Sequence, residues 1–140
     1  MTFEEFSRRN RARCEAADGF DHPLSSWSTA EWFLAVYGEL GEAANFAKKL
    51  NRERDGVKGN KVTGDVLREK LRREIGDTFV YLDLLAQSLG FSLGEAAGDV
   101  FDSKSAEIGY AERLERLDPD TGHDLNWIEG LPPVNSAKEK

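Results

Sequence analysis

Two pairs of acidic residues share one spacing. Glu39 and Glu42 stand three residues apart. Glu74 and Asp77 repeat that spacing, and in both pairs a glycine precedes the second acid. On a helix such residues are neighbours about 5–6 Å apart on one face. If two helices bring the pairs together, the four carboxylates repel one another at neutral pH unless cations lie between them. The spacing therefore predicts a metal site, and purely carboxylate ligation favours a hard ion such as Mg²⁺ over zinc.

Other side chains that could bind a ligand lie near the acids. On a helix through the first pair, Trp32, Asn45 and Lys49 fall within two turns of the acids and on the same face. Trp32 at this position is more typical of an ordinary core residue, and the Lys and Arg residues between 48 and 61 are equally typical of a solvated loop. Lys49 nevertheless lies on the face of the acids and could bind a phosphate group, and Lys104 of a later helix is a second candidate. Because each acidic pair alone is common on solvated helix faces, the metal prediction depends on both pairs together.

Several other kinds of chemistry are disfavoured. The chain has no glycine-rich phosphate loop, and neither histidine lies three residues after a glutamate, as a di-iron carboxylate bundle requires. The net charge of −7 argues against binding of a nucleic-acid polymer. The single cysteine, Cys14, cannot form an internal disulfide, and the N-terminus lacks the apolar run of a signal peptide. We therefore expect a cytoplasmic protein, and no apolar stretch is long enough to cross a membrane.

The elements that position the acids are predicted to be helices. Ser28 with Glu31, and Ser92 with Glu95, have the spacing of capping boxes, which open helices. Residues 51 to 64 contain three glycines and predict a polar connection. No segment alternates in the manner of a strand, so the predicted fold class is all-α, a four-helix, bundle-like arrangement. The predicted helices cover residues 2 to 14, 28 to 50, 65 to 89 and 92 to 114.

The length of 140 residues is typical of one domain. We predict a helical domain over residues 1–115 and a partly flexible C-terminal extension over 116–140. The apolar stripe of the second helix is predicted to include Phe33 and Leu40. The third helix has apolar residues beyond one stripe, among them Val80 and Leu84, and this predicts that a second copy of the chain completes the fold.

Three groups of motifs resemble those of the MazG-like all-α nucleoside triphosphate pyrophosphohydrolase superfamily. They are Gly38 to Asn45 with Lys48 and Lys49, Glu74 to Asp77 with Tyr81 and Leu82, and Phe101 with Lys104. The resemblance covers about residues 22 to 110 and implies a MazG-type fold. It implies that the four acids bind Mg²⁺ and take part in catalysis. It also implies substrate-binding roles for Asn45, Lys49 and Lys104, and for His22 and Trp27 near the base.

The resemblance further implies the reaction. Members of the superfamily hydrolyse a (d)NTP between the α and β phosphates, which yields the (d)NMP and pyrophosphate, and they form homodimers or homotetramers. One carboxylate would orient the attacking water, and the spacing does not choose between Glu39 and Glu42. The chain departs from the superfamily in a longer connection between the acidic pairs, and in Ile108 and Ala111, where many members have an Asn and an Arg.

Two other interpretations of the sequence remain open. One is a non-catalytic helical module that binds nucleotides or a partner protein through a site that has lost its activity. Against it, all four predicted metal ligands are intact. The other is a purely structural helical protein whose acidic faces serve solubility. Such a protein should bind neither Mg²⁺ nor a nucleotide.

Overall fold

The computed structural model describes residues 1 to 114, and all the regular structure in that range is helical. A short 3₁₀ turn, Leu24–Ser26, lies between the first two helices. The helices are α1, Phe3–Glu15; α2, Thr29–Arg54; α3, Gly64–Ser88; and α4, Leu93–Glu107. The predicted all-α class with four helices is confirmed for these residues. None of these helices has both the length and the apolar character needed to cross a bilayer. The predicted C-terminal extension, 116–140, lies outside the described residues.

The chain divides into two compact units, Met1–Ser92 and a second unit that begins at Leu93. The first unit contains α1, α2 and α3, and α4 belongs to the second. Within the second unit the buried carboxylate of Asp102 accepts a hydrogen bond from the backbone N–H of Leu114 at 3.0 Å. The predicted boundary near residue 115 stays a prediction, because it falls where the described residues end.

The helix ends follow local sequence signals closely. The predicted capping box of α2 is confirmed: Ser28 Oγ accepts a hydrogen bond from the Glu31 N–H at 3.4 Å, and the Ser28 N–H donates to Glu31 Oε2 at 2.7 Å. Gly90, just after the end of α3, has a φ of 83°. This is the left-handed conformation that glycine favours at the end of a helix, as the sequence predicts. The prediction for the last helix was wrong, since α4 ends at Glu107 and not near residue 114.

In the first unit, α2 and α3 pack against each other as an antiparallel pair. Glu39 of α2 lies beside Glu74 of α3. Later in α2, the ring of Phe46 lies beside Lys70, which comes earlier in α3. The two chain directions therefore oppose each other. This arrangement is the one that the prediction of converging acidic pairs requires.

The core of the first unit surrounds Trp32, which is 1% exposed and donates from its indole nitrogen to the Leu24 carbonyl at 3.2 Å. The expectation of Trp32 as a core residue is confirmed. The predicted stripe of α2 was wrong in part, because Phe33 and Leu40 are exposed and the helix is turned so that Trp32 faces inward instead. Leu84 is also buried within the chain, so it gives no reason to expect a second copy.

Polar contacts fix α1 to α3. Asp83 of α3 is 0% exposed and accepts hydrogen bonds from Ser7 Oγ at 2.7 Å, Asn10 Nδ2 at 2.9 Å and Gln87 Nε2 at 2.9 Å. A buried carboxylate requires such partners, since burial without them is costly. α1 is thereby held on the same helix that supplies two of the four predicted metal ligands.

Candidate functional site

An acidic cluster forms between α2 and α3. Glu39, Glu74 and Asp77 each offer a carboxylate oxygen, and these oxygens all lie within 4.8 Å of one another. Glu39 and Glu74 are half-buried and Asp77 is exposed. The predicted fourth acid, Glu42, is exposed and lies outside this group. Three carboxylates at this separation could hold a hard divalent cation, for which oxygen ligands are preferred.

The electrostatics of the acidic cluster are most visible at Glu39. Burial raises the pKa of its carboxyl group, and the charges of Asp77, Glu74 and Glu42 raise it further, in that order. Glu42 therefore lies close enough to act on the cluster by charge, although it is not one of the three grouped ligands. A cation among these oxygens would remove the repulsion that raises the pKa.

An aromatic cavity of about 350 Å³ adjoins the acidic cluster. The ring centroids of His22 and Trp27 are 4.5 Å apart, and those of Trp27 and Trp32 are 4.8 Å apart, both pairs edge to face. Asp77 belongs to both places, because it lines the cavity and is a member of the acidic cluster. The cavity is lined by Asn10, Arg13, Cys14, Phe20, His22, Trp27, Trp32, Asp77, Val80, Tyr81 and Leu84.

The segment between α1 and α2 places His22 in the cavity wall. The His22 N–H donates to the Cys14 carbonyl at 2.8 Å, and the Cys14 thiol donates to the His22 carbonyl at 3.1 Å. Burial raises the pKa of Cys14, so the thiol keeps the proton that it donates. The turn also requires Gly19, because a Cβ there would lie 2.1 Å from the Arg13 carbonyl oxygen.

Two polar side chains, Arg13 and Tyr81, also line the aromatic cavity. The guanidinium of Arg13 donates to Asn10 Oδ1 at 3.1 Å and lies over the Phe20 ring, 5.4 Å from its centroid. Burial raises the pKa of Tyr81, and the nearby charges of Glu39 and Asp77 raise it further. The phenol therefore stays protonated and is available as a hydrogen-bond donor.

Sequence reasoning missed the part that α1 has in this cavity. The available signal was the helical spacing, which places Asn10, Arg13 and Cys14 on the same face of α1 as Phe3 and Phe6. Polar residues on an otherwise apolar helix face indicate that this face contacts polar groups as well as the core. The prediction for His22 and Trp27 placed them near the substrate, and the structure places both at the aromatic cavity beside the acidic cluster.

The other predicted substrate-binding residues lie elsewhere. Asn45 is exposed on α2 and lines neither the acidic cluster nor the aromatic cavity. Lys49 lines a different pocket, where its Nζ lies 4.8 Å from the centroid of the Phe46 ring. Lys104 belongs to the second unit, and its Nζ donates to Glu107 Oε2 at 2.6 Å. Their substrate-binding roles stay predictions.

Gly41 and Gly76, the glycines within the two acidic motifs, do not pack closely against any other part of residues 1 to 114. A Cβ built at Gly41 or at Gly76 meets nothing within 4 Å. The glycines instead leave open space beside the acids. Each glycine costs about 1 kcal/mol of helix stability relative to alanine.

The chain matches no protein-family model, no curated protein and no solved structure. Its resemblance to the MazG-like superfamily therefore rests on the sequence motifs and stays a prediction. What the site can do follows from its own geometry, which is an acidic cluster that shares Asp77 with an aromatic cavity.

Proposed function

We propose that the protein is a Mg²⁺-dependent nucleoside triphosphate pyrophosphohydrolase, which cleaves a (d)NTP to the (d)NMP and pyrophosphate. The observation that carries the proposal is the double position of Asp77, in the acidic cluster and in the wall of the aromatic cavity. A nucleotide has the matching two parts, because its flat base is joined through a sugar to a phosphate chain that binds divalent cations. The geometry thus suits a base in the cavity and phosphates at the acids.

The residues present fit the metal that this activity needs. Glu39, Glu74 and Asp77 would hold Mg²⁺, since their donors are all carboxylate oxygens. Burial and the neighbouring negative charges also disfavour the ionised form of Glu39, and a bound cation would favour it. Bound Mg²⁺ would neutralise charge on the phosphates and stabilise the charge that develops on the leaving oxygen.

The aromatic cavity would bind and orient the base. Trp27 is half-buried and lines the cavity with its ring beside that of His22, so it would offer the aromatic surface on which a base stacks. Stacking of one base on an aromatic side chain contributes about 1–3 kcal/mol. The protonated phenol of Tyr81 lines the same cavity and can donate a hydrogen bond to the sugar or the base.

Glu42 is the acid that we assign to the attacking water. It lies outside the group of three ligands, yet close enough to raise the pKa of Glu39. In the proposed step the water oxygen bonds to one of the two phosphorus atoms joined by the α,β-bridging oxygen, and the bond between that phosphorus and the bridging oxygen breaks. The other product leaves with the bridging oxygen, and one water proton passes to the Glu42 carboxylate. Asn45 and Lys49 are proposed to contact the phosphates.

A product screen tests the proposal. The full chain is incubated with each common NTP and dNTP, with Mg²⁺ or with EDTA, and the products are separated by chromatography. We expect the monophosphate and pyrophosphate from at least one nucleotide, with Mg²⁺ only. Orthophosphate with a diphosphate would contradict the bond assignment. Binding of a nucleotide without turnover would favour the binding module, and no binding would favour the structural protein.

Matched variants connect the activity to the site. Asp77→Asn should reduce turnover by about a hundredfold or more, because it removes one charge from the acidic cluster. Asp65→Asn makes the same change at an exposed position of α3 and should leave turnover within about twofold. Trp27→Ala should raise KM by roughly tenfold or more, whereas Trp27→Phe, which keeps a ring, should preserve most of the affinity. Equal losses in the two Asp variants would remove Asp77 from the site.

A further inference from the structure

A second pocket, of about 390 Å³, lies where α2 ends and α3 begins. Four cationic side chains line it, from three consecutive parts of the chain. Lys49 and Arg52 belong to the last turns of α2, Lys61 to the connection, and Lys70 to α3. We call it the basic pocket, and the proposed hydrolysis leaves most of these cations without a role.

The connection that closes the basic pocket is fixed to the end of α2. Arg52 Nη2 donates to the Lys58 carbonyl at 2.7 Å, and Asn60 Nδ2 donates to the Lys49 carbonyl at 2.8 Å. Gly59 has φ 118°, and a Cβ there would lie 2.7 Å from Arg52 Nη2. The connection is therefore shaped around the Arg52 guanidinium and brings Lys61 to the pocket.

An aromatic ring holds two of the cations. The Nζ atoms of Lys49 and Lys70 lie 4.8 Å and 5.5 Å from the centroid of the Phe46 ring. The face of an aromatic ring attracts ammonium groups. Because the two lysines come from different helices, Phe46 gathers positive charge that would otherwise separate.

Nearby acids do not neutralise these cations. Asp55 pairs with Arg54 at 2.7 Å, and Glu53 Oε1 accepts a hydrogen bond from the Gly64 N–H at 3.2 Å, at the start of α3. Within residues 1 to 114 none of the four cations of the basic pocket forms an ion pair.

A helix C-terminus attracts cations, and this accounts for Arg52 near the end of α2. It does not account for Lys61 or Lys70, which follow the end of α2 in the connection and in α3. Cations that are gathered without acidic partners repel one another. An anionic ligand would remove that repulsion.

We propose that the basic pocket is a second ligand site, which binds a polyphosphate anion without a metal ion. Ammonium groups and a guanidinium suit phosphate oxygens, and a chain of two or more phosphates presents enough oxygens for several cations at once. Lys70 precedes Glu74 of the acidic cluster by one helical turn. The terminal phosphates of a nucleotide and free pyrophosphate share this chemistry.

Calorimetric titration of the full chain with pyrophosphate in EDTA tests the site. Lys61→Gln/Lys70→Gln removes two charges of the basic pocket, and Lys48→Gln/Lys58→Gln removes two exposed charges nearby whose side chains do not line it. We expect the pocket variant to bind about tenfold more weakly or worse, and the control to stay within about twofold. Circular dichroism confirms that both variants are folded.

Two results would overturn the proposal: no binding of pyrophosphate to the wild type at low ionic strength, or equal weakening in both double variants. A further titration, with a non-hydrolysable α,β-imido nucleotide and Mg²⁺, identifies the source of the anion. Competition with pyrophosphate that is lost in Lys61→Gln/Lys70→Gln assigns the basic pocket to the nucleotide's own phosphates, and simultaneous binding assigns it to a separate polyphosphate. The EDTA titration requires neither Mg²⁺ nor hydrolysis, so its outcome is independent of the proposed enzyme activity.

Discussion

At the scale of single residues, Glu39 is the acid on which the charge repulsion within the acidic cluster has the clearest effect. Its carboxyl group is half-buried, and the charges of Asp77, Glu74 and Glu42 surround it. The folded protein therefore holds the Glu39 proton more tightly than the unfolded chain does. Because the unfolded chain releases that proton first, stability falls as the pH rises from the ordinary glutamate value of about 4.3 toward neutrality.

Glu39→Gln should relieve this repulsion. We expect the metal-free variant to melt about 2 °C or more above the wild type at pH 7, and the difference to shrink toward pH 4, where the wild-type carboxyl is protonated as well. Thermal melts in EDTA between pH 4 and pH 7 measure it. Glu69→Gln, at an exposed acid of α3 whose pKa is lowered by its hydrogen bond with Arg72, should show no such gain.

Metal should reverse the order of the two proteins. With Mg²⁺ at about 100 times its dissociation constant, binding to the folded wild type adds roughly 2.7 kcal/mol, and Glu39→Gln should gain less. Equal metal-induced shifts in the two proteins would exclude Glu39 as a ligand.

The acidic motifs illustrate what the sequence can and cannot predict about single residues. The i, i+3 spacing fixes which acids are neighbours on one helix, so the pair Glu74 and Asp77 was predictable. Which acid of the α2 pair faces α3 depends on how that helix is rotated in its packing. The structure directs Glu39 into the cluster and leaves Glu42 outside it.

At the scale of helices, local signals and long-range contacts differ in how far they can be predicted. The capping box of α2 needs only Ser28 and Glu31, so the sequence alone predicts it. The attachment of α1 depends on Asn10 and Asp83, which are 73 residues apart. No local pattern contains that contact, so the spacing within α1 shows a face that packs against something but not that its partner is α3.

Asp83→Ala should loosen α1. The substitution removes the carboxylate that accepts hydrogen bonds from Ser7, buried Asn10 and Gln87, which costs about 2–4 kcal/mol. Denaturant unfolding measures the loss, and hydrogen exchange should show faster exchange of the α1 amides. Because α1 lines the aromatic cavity, the affinity for nucleotide should fall as well. Glu69→Ala, which breaks only an exposed pair with Arg72, should cost no more than about 0.5 kcal/mol.

One substitution at two glycines should have opposite effects on stability. Gly41→Ala lies in the middle of α2 with nothing within 4 Å of its Cβ, so it should stabilise the protein by about 0.5–1 kcal/mol. Gly19→Ala would bring a Cβ to 2.1 Å from the Arg13 carbonyl oxygen, and should destabilise it by about 1–3 kcal/mol. Chemical denaturation compares them. A loss of stability in Gly41→Ala would indicate that a second copy of the chain packs at this glycine.

At the scale of the whole molecule, α2 exposes a large apolar surface. Its four large apolar side chains near the acids are Phe33, Leu34, Tyr37 and Leu40, which are 45%, 70%, 64% and 49% exposed. Phe33, Tyr37 and Leu40 recur at helical spacing, and the rings of the first two lie 6.4 Å apart. A contiguous apolar face of this kind is typical of an interface.

We expect a second copy of the chain to cover this face. One helix face that meets itself across a two-fold axis gives both copies the same contacts, which is the commonest way to close a homodimer. The net charge of −7 opposes association, so the apolar area must outweigh it, and added salt should tighten the assembly by screening that charge. Light scattering at micromolar concentration should give at least twice the mass of the 15.7 kDa chain.

Leu34→Glu/Tyr37→Glu should convert the assembly to single chains, because it places two charges in the middle of the apolar face of α2. Val100→Glu/Ile108→Glu makes the same change of charge at exposed apolar residues in the second unit, and it should leave the mass unchanged. A wild type with the mass of one chain would exclude the homo-oligomer. Dissociation of both double variants alike would show that added negative charge separates the copies and that the α2 face is not the interface.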